Sequence, residues 1–293
     1  MDRSESLLGF RRRVWWFRFG CAHRGGRRVS ISTAISGIDS EGVVIRGYSL
    51  TELMAKASFA EVLYLVLRGE LPDRKTARLI DAILVSAVDH GLNAPSIHIA
   101  RASASCGVPL STAVAAGIAS IGTNHGGAGE ACARFLQEAI VSLPETASEK
   151  RSDSLLQSLA EKLVARSLDS GKNLPGYGHR VYKESDPRSA ALFKLAKELG
   201  LYGDHSRLAI QVAEAMHSAK GKPLVLNVDG AQAAILSDLG FSWKQVQTLF
   251  IVGRSLGLCA HVAEELESAV PLGYIKAAPV AAEYSGQPSR SMP

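Results

Sequence analysis

From Ser49 onward the apolar positions recur every three to four residues, the spacing of helices with one buried face. After Asp73, residues Leu79, Ile80, Ile83, Leu84, Ala87 and Val88 keep that spacing as far as Asp89-His90-Gly91. Ser49-Leu-Thr-Glu52 and Ser58-Phe-Ala-Glu61 read as capping boxes, each opening an apolar run, and Gly69 with Pro72 beyond it stops the second. Residues 95–122 consist almost wholly of Ala, Ser, Gly, Ile and Val and predict two helices joined near Gly107-Val-Pro109. Side chains this small let backbones approach closely, either in a buried centre or at a subunit interface. Further helices are expected over 130–143 and 155–168, and near 188–199, 205–219 and 230–239, with Gly171, Gly200, Gly221 and Gly240 as stops. Ser242-Trp-Lys-Gln245 opens the last long one. Only two stretches read as extended: a hairpin within 32–47, and a brief apolar run over 224–230 that ends in the carboxylate of Asp229. About ten helices and almost no strand make an all-α fold the expectation.

The 293 residues, 46% apolar and 21% charged, are enough for a substantial core in one large domain or two smaller ones. The net charge of +5 comes from residues 1–28, which hold eight Arg against Asp2 and Glu5. The remainder is close to neutral and gives no electrostatic reason to expect nucleic acid. Cys21, Cys106, Cys132 and Cys259 are far apart, with no metal-ligand spacing, so buried free thiols in a reducing, cytoplasmic compartment are expected, without zinc. No apolar run reaches the roughly 18 residues of a membrane span, and a soluble protein is expected. The basic segment 1–30 contains Arg11-Arg-Arg-Val-Trp-Trp-Phe-Arg18, which suits an anionic interface. It lacks the uninterrupted apolar core of a secretory signal, and is expected to be disordered or to reflect an upstream start codon.

Candidate chemistry concentrates in Gly176-Tyr-Gly-His-Arg-Val-Tyr-Lys-Glu-Ser-Asp-Pro-Arg188. Gly176 and Gly178 permit a sharp turn, and Asp186-Pro187 reads as an N-cap followed by Pro at the first helical position. Arg188 then falls in a helix's first turn, where backbone N–H groups and a guanidinium fork both suit a carboxylate. Three histidines, His90, His125 and His179, each adjoin glycine at a predicted helix boundary, whereas His98, His205, His217 and His261 lie inside predicted helices. Asp229, in an apolar surround, could act as a base on carbon while neutral histidines donate to a developing enolate. There is no Walker loop, no GxGxxG after a strand, no GxSxG and no HExxH, which argues against nucleotide-driven and hydride chemistry.

The ordered blocks Thr33-Ala-Ile-Ser-Gly-Ile-Asp39, Ile45-Arg-Gly-Tyr48, Ser58-Phe-Ala-Glu-Val-Leu-Tyr64, Gly69-Glu-Leu-Pro72, Asp89-His-Gly-Leu-Asn93, His125-Gly-Gly-Ala128, Pro175-Gly-Tyr-Gly-His-Arg180, Asp186-Pro-Arg188, Asn227-Val-Asp229 and Gly253-Arg-Ser-Leu-Gly257 resemble the citrate synthase family over about residues 31–286. The resemblance implies a large helical domain, 31–127 plus 241–293, and a smaller closing domain, 128–240, in a homodimer. It implies catalytic roles for His125, His179 and Asp229, and substrate carboxylates held by His90, His179, Arg188 and Arg254. Coenzyme A contacts are implied for Pro175, Gly176, Tyr177, Gly178 and Lys183, with the thioester as substrate and no tightly bound cofactor. The partners implied are an acyl-CoA and a di- or tricarboxylic acid. Two departures matter. Only 16 residues separate Pro72 from Asp89, where the family carries a longer insert, and Tyr284-Ser-Gly286 follows Pro279-Val-Ala-Ala282 in place of the family's Arg-Pro. Both the short connection and the sequences around Asp229 and Arg254 look more like the citryl-CoA lyase module of ATP-citrate lyase. The implied activity is citryl-CoA cleavage. The alternatives are citrate or 2-methylcitrate synthesis, or an inactive helical binding protein.

Overall fold

A computed structural model describes residues 31–143, 151–179, 182–268 and 270–277, so the basic N-terminal segment and the 279–286 stretch lie outside the described residues. The described residues divide into two compact units, with the boundary between Asp73 and Arg74. In the first, strands β1 (Ser36–Asp39), β2 (Gly42–Ile45) and β3 (Tyr48–Ser49) form an antiparallel meander, with Ser36 opposite Ile45 and Val44 opposite Ser49. The Asp39 carboxylate accepts from the N–H groups of Glu41 (2.8 Å) and Gly42 (3.1 Å) and so shapes the first turn. Helices α1 (Leu50–Lys56) and α2 (Phe59–Arg68) follow. Only the second expected capping box closes: Ser58 Oγ accepts from the Glu61 N–H, and the Glu61 carboxylate accepts from the Ser58 N–H. In the first, Glu52 is held instead by Lys56 one turn on, at 2.6 Å. Arg46 donates through Nε and Nη2 to the Val66 carbonyl, tying the sheet to α2.

The regular elements of the second unit, among the described residues, are helices: α3 (Arg74–Ala87), α4 (Pro95–Ser105), α5 (Leu110–Ala119), α6 (Ala128–Val141), α7 (Asp153–Ser170), α8 (Pro187–Leu199), α9 (Asp204–Lys220), α10 (Val228–Asp238), α11 (Trp243–Glu267) and α12 (Gly273–Ala277). The all-α expectation therefore holds, and α12, too short to display a period, is the addition. Helix α10 is central, packed by α6, α8, α9 and α11, with Ala231, Ala233, Ala234, Ile235 and Leu236 fully buried. A helix covered on every side has no polar face, which is why its sequence shows no stripe. By length and composition alone α11 is apolar enough to cross a membrane, contrary to the sequence expectation. Within this unit, however, it packs against α3, α4, α5 and α6 and carries the buried Arg254. The small-residue helices face inward through Ile97, Ala100, Ala104 and Ala113 onto Leu258 and Val262 of α11, while Leu110, Ala115 and Ala119 of α5 face outward.

Two further expectations change. The 224–230 stretch is extended only as far as Asn227, in a single bridge from Leu226 to Tyr177. The Asn227 side chain accepts from the Gly230 N–H at 3.0 Å and starts α10 at Val228, so Asp229 lies in a helix's first turn and not at a strand's end. Of the described cysteines, all free, Cys132 is buried, Cys259 is half-buried and Cys106 is exposed.

Candidate active site

The glycine-rich turn before His179 is bound to the segment that launches α10. The Gly176 carbonyl accepts from the Asn227 N–H (3.1 Å), the Gly178 N–H donates to the Val225 carbonyl (2.7 Å), and Asn227 Nδ2 donates to the Gly178 carbonyl (2.9 Å). Gly176 has φ +82°, and a Cβ on it would lie 2.6 Å from Cys132 Sγ and 2.9 Å from Gly230 Cα, so no larger residue fits. Beyond the turn, the buried Asp186 joins two helix N-termini. Its Oδ1 accepts from the Arg188 N–H (3.0 Å) and Nε (3.1 Å), and its Oδ2 from Arg188 Nη2 (2.9 Å) and the Val228 N–H (2.9 Å). One carboxylate thus caps α8, meets the first residue of α10 and holds Arg188 in place.

The turn carrying His125 forms where Gly122 and His125 exchange backbone hydrogen bonds of 2.8 and 2.9 Å. His125 Nε2 accepts from the Ser96 N–H at 3.2 Å, with Ser96 Oγ 2.8 Å away. A backbone N–H can only donate, so the neutral ring carries its proton on Nδ1. Arg254, only 3% exposed, donates from Nε to the Ala87 carbonyl (2.9 Å) and from Nη1 toward Ser96 Oγ (3.5 Å). Its guanidinium also lies 5.2 Å from the centroid of the Phe250 ring.

These pieces meet around a cavity of about 500 Å³, lined by His90, His125, Gly178, His179, Arg188, Asp229 and Arg254 among others. The His90 and His179 rings meet edge to face, 5.6 Å between centroids. His179 Nδ1 accepts from the Tyr182 N–H at 3.0 Å, which puts the ring proton on Nε2. That nitrogen is 3.3 Å from Arg188 Nη2. A guanidinium also only donates, so both ring nitrogens face donors, and the proton on Nε2 is favoured where an oxygen accepts from it and from Arg188 together. Burial pushes the Asp229 carboxyl above the ordinary carboxylate range, against the opposing pull of Arg188 and Arg254. Burial and then the positive charge of Arg188 push His90 below the usual histidine value. Burial likewise lowers His179, with Asp186 opposing. The site therefore offers neutral imidazole donors, fixed guanidinium charges and one carboxyl whose raised pKa suits it to exchanging a proton with carbon.

Of the candidates for coenzyme contacts, only Gly178 reaches this cavity. Gly176 is buried beneath it, Pro175 is half-buried in the turn, and Lys183 is exposed with Nζ 3.4 Å from the His179 carbonyl. Tyr177 and Gly178 line a neighbouring cavity of about 420 Å³, together with Lys172, Lys220 and Lys222. The Tyr177 hydroxyl donates to the Ala209 carbonyl at 2.9 Å, which anchors the ring in the fold. A larger groove of about 620 Å³ between α7 and α9 holds none of the candidate groups. Sequence reasoning passed over Ser96, Gln232 and the three lysines, and it read Asp186 only as a cap. Gln232 lies one turn after Asp229, lines the first cavity and donates to Ser86 Oγ at 2.9 Å. Its position three residues beyond Asp229 on a predicted helix was the available signal.

An all-helical scaffold that gathers histidines, arginines and a single carboxyl at a helix start is the citrate synthase-like helical fold. The family model for the citrate synthase C-terminal domain matches residues 26–78 and 72–273, and the chain belongs to that family. Among solved structures it is similar to citryl-CoA lyase from Hydrogenobacter thermophilus, with 43% identity and a TM-score of 0.80, covering 90% of this chain and 97% of that one. It shares its fold with ATP citrate lyase from Methanothrix soehngenii, solved with citrate and coenzyme A, at 22% identity and a TM-score of 0.69, covering 89% of this chain and 43% of that one. It is 33% identical over 210 residues to a citrate synthase of Haloferax volcanii, covering 71% of this chain and 51% of that protein. The chain spans about half the length of the curated relatives it matches first.

Proposed function

We propose that this chain acts on the carbon–carbon bond between acetyl-CoA and oxaloacetate, as a citryl-CoA lyase. The observation that carries the reading is the convergence, in one cavity, of a carboxyl raised by burial, the imidazoles of His125 and His179, and two arginines. Arg188 and Arg254, with His90, hold the acid's carboxylates. In the condensing direction Asp229 takes a methyl proton from acetyl-CoA, and His125 Nδ1–H donates to the thioester oxygen as the enol forms. The enol carbon attacks the ketone carbon, and His179 Nε2–H donates to the oxygen that becomes the hydroxyl. The Arg188 guanidinium, 3.3 Å from that nitrogen, offsets the negative charge left on the ring. Cleavage retraces the same transfers: the hydroxyl proton returns to His179, and Asp229 protonates the carbon of the departing enol. Asp229 must then enter protonated, which its burial favours.

The thioester is a substrate and not a resident cofactor. Its coenzyme A portion runs along 175–178 toward the second cavity, where Lys172, Lys220 and Lys222 suit phosphates, with Lys183 exposed nearby. Residues 128–240 supply His179, Arg188 and Asp229, while 31–127 plus 241–293 supply His90, His125 and Arg254, and closing the first set over the second would exclude water from the reacting carbon. The chain works as a homodimer, a reading supported by the uncharged outer face of α5. The free thiol of exposed Cys106 fits a cytoplasmic setting.

The 43% identity to citryl-CoA lyase favours cleavage, as does the single helix α3 that fills the short connection ahead of Asp89. His125-Gly-Gly, shared with the synthase pattern, keeps citrate synthesis as the second reading, which would require thioester hydrolysis as well. Incubation with citryl-CoA should yield oxaloacetate and acetyl-CoA. Net citrate and free coenzyme A from acetyl-CoA plus oxaloacetate would instead establish the synthase. If both mixtures stay inert and Asp229→Ala changes no ligand affinity, the enzymatic reading is wrong.

A further inference from the structure

A chain of polar contacts runs behind the cavity, from α4 and α11 to the residue preceding His90. His261 Nδ1 lies 3.4 Å from Arg101 Nη1, and a guanidinium can only donate, so the neutral ring carries its proton on Nε2. From there it donates to Asp89 Oδ2 at 3.2 Å. The other oxygen of Asp89 accepts the backbone N–H groups of His90 (2.7 Å) and Gly91 (3.1 Å). Arg101 is itself fixed: Nε and Nη2 donate to Glu265 Oε2 at 3.1 and 2.8 Å, and its guanidinium lies 5.3 Å from the centroid of the Tyr274 ring. Glu265 is 6% exposed and one turn beyond His261 on α11. Gly257 on the same helix lets the Val88 carbonyl press against α11, where a Cβ would collide with it. The turn that presents His90 is thus held from α11 twice, by contact at Gly257 and by hydrogen bonding through Asp89.

We propose that His261 is a positioning residue for substrate binding: by donating to Asp89 it fixes the Asp89-His90-Gly91 turn and so aims His90 into the cavity. The inference rests on reading that cavity as the site of a carboxylate-bearing substrate. Burial alone would raise the Asp89 carboxyl, but hydrogen bonds from His261 and from the two backbone N–H groups hold it below its ordinary value, so it remains an acceptor for all three. His261 belongs to the histidines inside helices that no local sequence feature singles out, and it lies outside the cavity lining.

The test uses the full chain and oxaloacetate as the calorimetric probe, beside citryl-CoA kinetics. His261→Phe keeps a ring of similar size without its nitrogens and should weaken oxaloacetate binding and raise KM about tenfold, with kcat within about threefold of the parent, because the chemistry of Asp229 is untouched. His261→Gln restores an N–H near the position of Nε2 and should recover binding to within about threefold. In a His90→Ala background His261→Phe should add nothing, since the residue through which it acts is gone. If His261→Phe does not fold, Asp89→Asn carries the same comparison, with the same loss in the parent and none in the His90→Ala background. Parent-like binding by His261→Phe, or an equal loss in both backgrounds, overturns the inference and leaves the cavity's assignment standing. Unchanged oxaloacetate binding by His90→Ala overturns that assignment and the inference with it.

Discussion

Asp229 faces two opposing demands, since the field of two arginines favours its charged form while burial in a helix's first turn disfavours it, and burial prevails. Because folding raises its pKa, the folded state holds the proton more tightly than the unfolded chain does. The associated stability is fully present below the ordinary carboxylate pKa and is lost as pH rises through the raised value. Above the ordinary carboxylate pKa the raised group therefore costs stability, and Asp229→Asn should raise Tm, by about 2–4 °C for each kcal/mol relieved, while lowering turnover about 10²–10⁴-fold. A thermal melt and a turnover assay at pH 7 measure both, and a Tm below that of the parent would contradict the burial argument. Through the same raised pKa, condensation should increase with pH as the base ionises and cleavage should decrease as the acid is lost, so the two pH–rate profiles slope in opposite directions. That His90, His125, His179 and Arg188 would meet in one cavity was legible in the sequence because glycines or a helix cap mark their turns, whereas Arg254, inside α11, stood out only through the family resemblance. Ser96, which links His125 to Arg254, is one of three serines in α4, where nothing local distinguishes it.

The turn at 175–179 and the start of α10 form one hydrogen-bonded joint, and its glycines do different work. Gly178 has φ +86° and no atom within 4 Å of where a Cβ would stand, so Gly178→Ala should cost only the left-handed backbone penalty of about 1–2 kcal/mol. Gly176 adds collisions with Cys132 and Gly230, and overpacking of that kind costs about 1–3 kcal/mol more. Urea midpoints should rank parent, Gly178→Ala, then Gly176→Ala, and a reversed order would mean that the joint yields. Asp186 is the second tie. Asp186→Ala leaves Arg188 without its carboxylate and the Val228 N–H without its acceptor, a loss of about 3–5 kcal/mol for a buried pair, discounted because Arg188 is partly exposed. It should raise KM for the acid more than it lowers kcat, which steady-state kinetics would read directly. Most helices were legible from period and glycine stops. The start of α10 was not, because the apolar run 224–228 outweighed the cap signal of Asn227.

The small-residue helices left two readings open in the sequence, a buried centre or a subunit interface, and the inner face of α5 meets the first. Its inner face is as tight as a centre requires: a Cβ on Gly117 would lie 2.8 Å from the Ser96 carbonyl oxygen and 3.0 Å from a Leu258 methyl. Its outer face presents Leu110, Ser111, Thr112, Ala115 and Ala119 without a charged residue anywhere in the helix. Periodicity could not separate these faces, because alanine and serine suit both environments and the chain carries no polar stripe there to mark the outside. An uncharged helical face of small residues lets a symmetry-related helix approach closely, as an isologous dimer contact requires. If that contact forms, a guanidinium at its centre is buried without a partner, at a cost of several kcal/mol counted twice across the two-fold axis. Ala115→Arg should therefore shift the sedimenting mass at micromolar concentration from twice the chain to once, with the helical circular dichroism signal unchanged. Lys194→Glu, at an exposed position on α8, should leave the mass as it is. A parent chain that already sediments as a single copy, or an Ala115→Arg variant that stays paired, would remove α5 as the dimer contact.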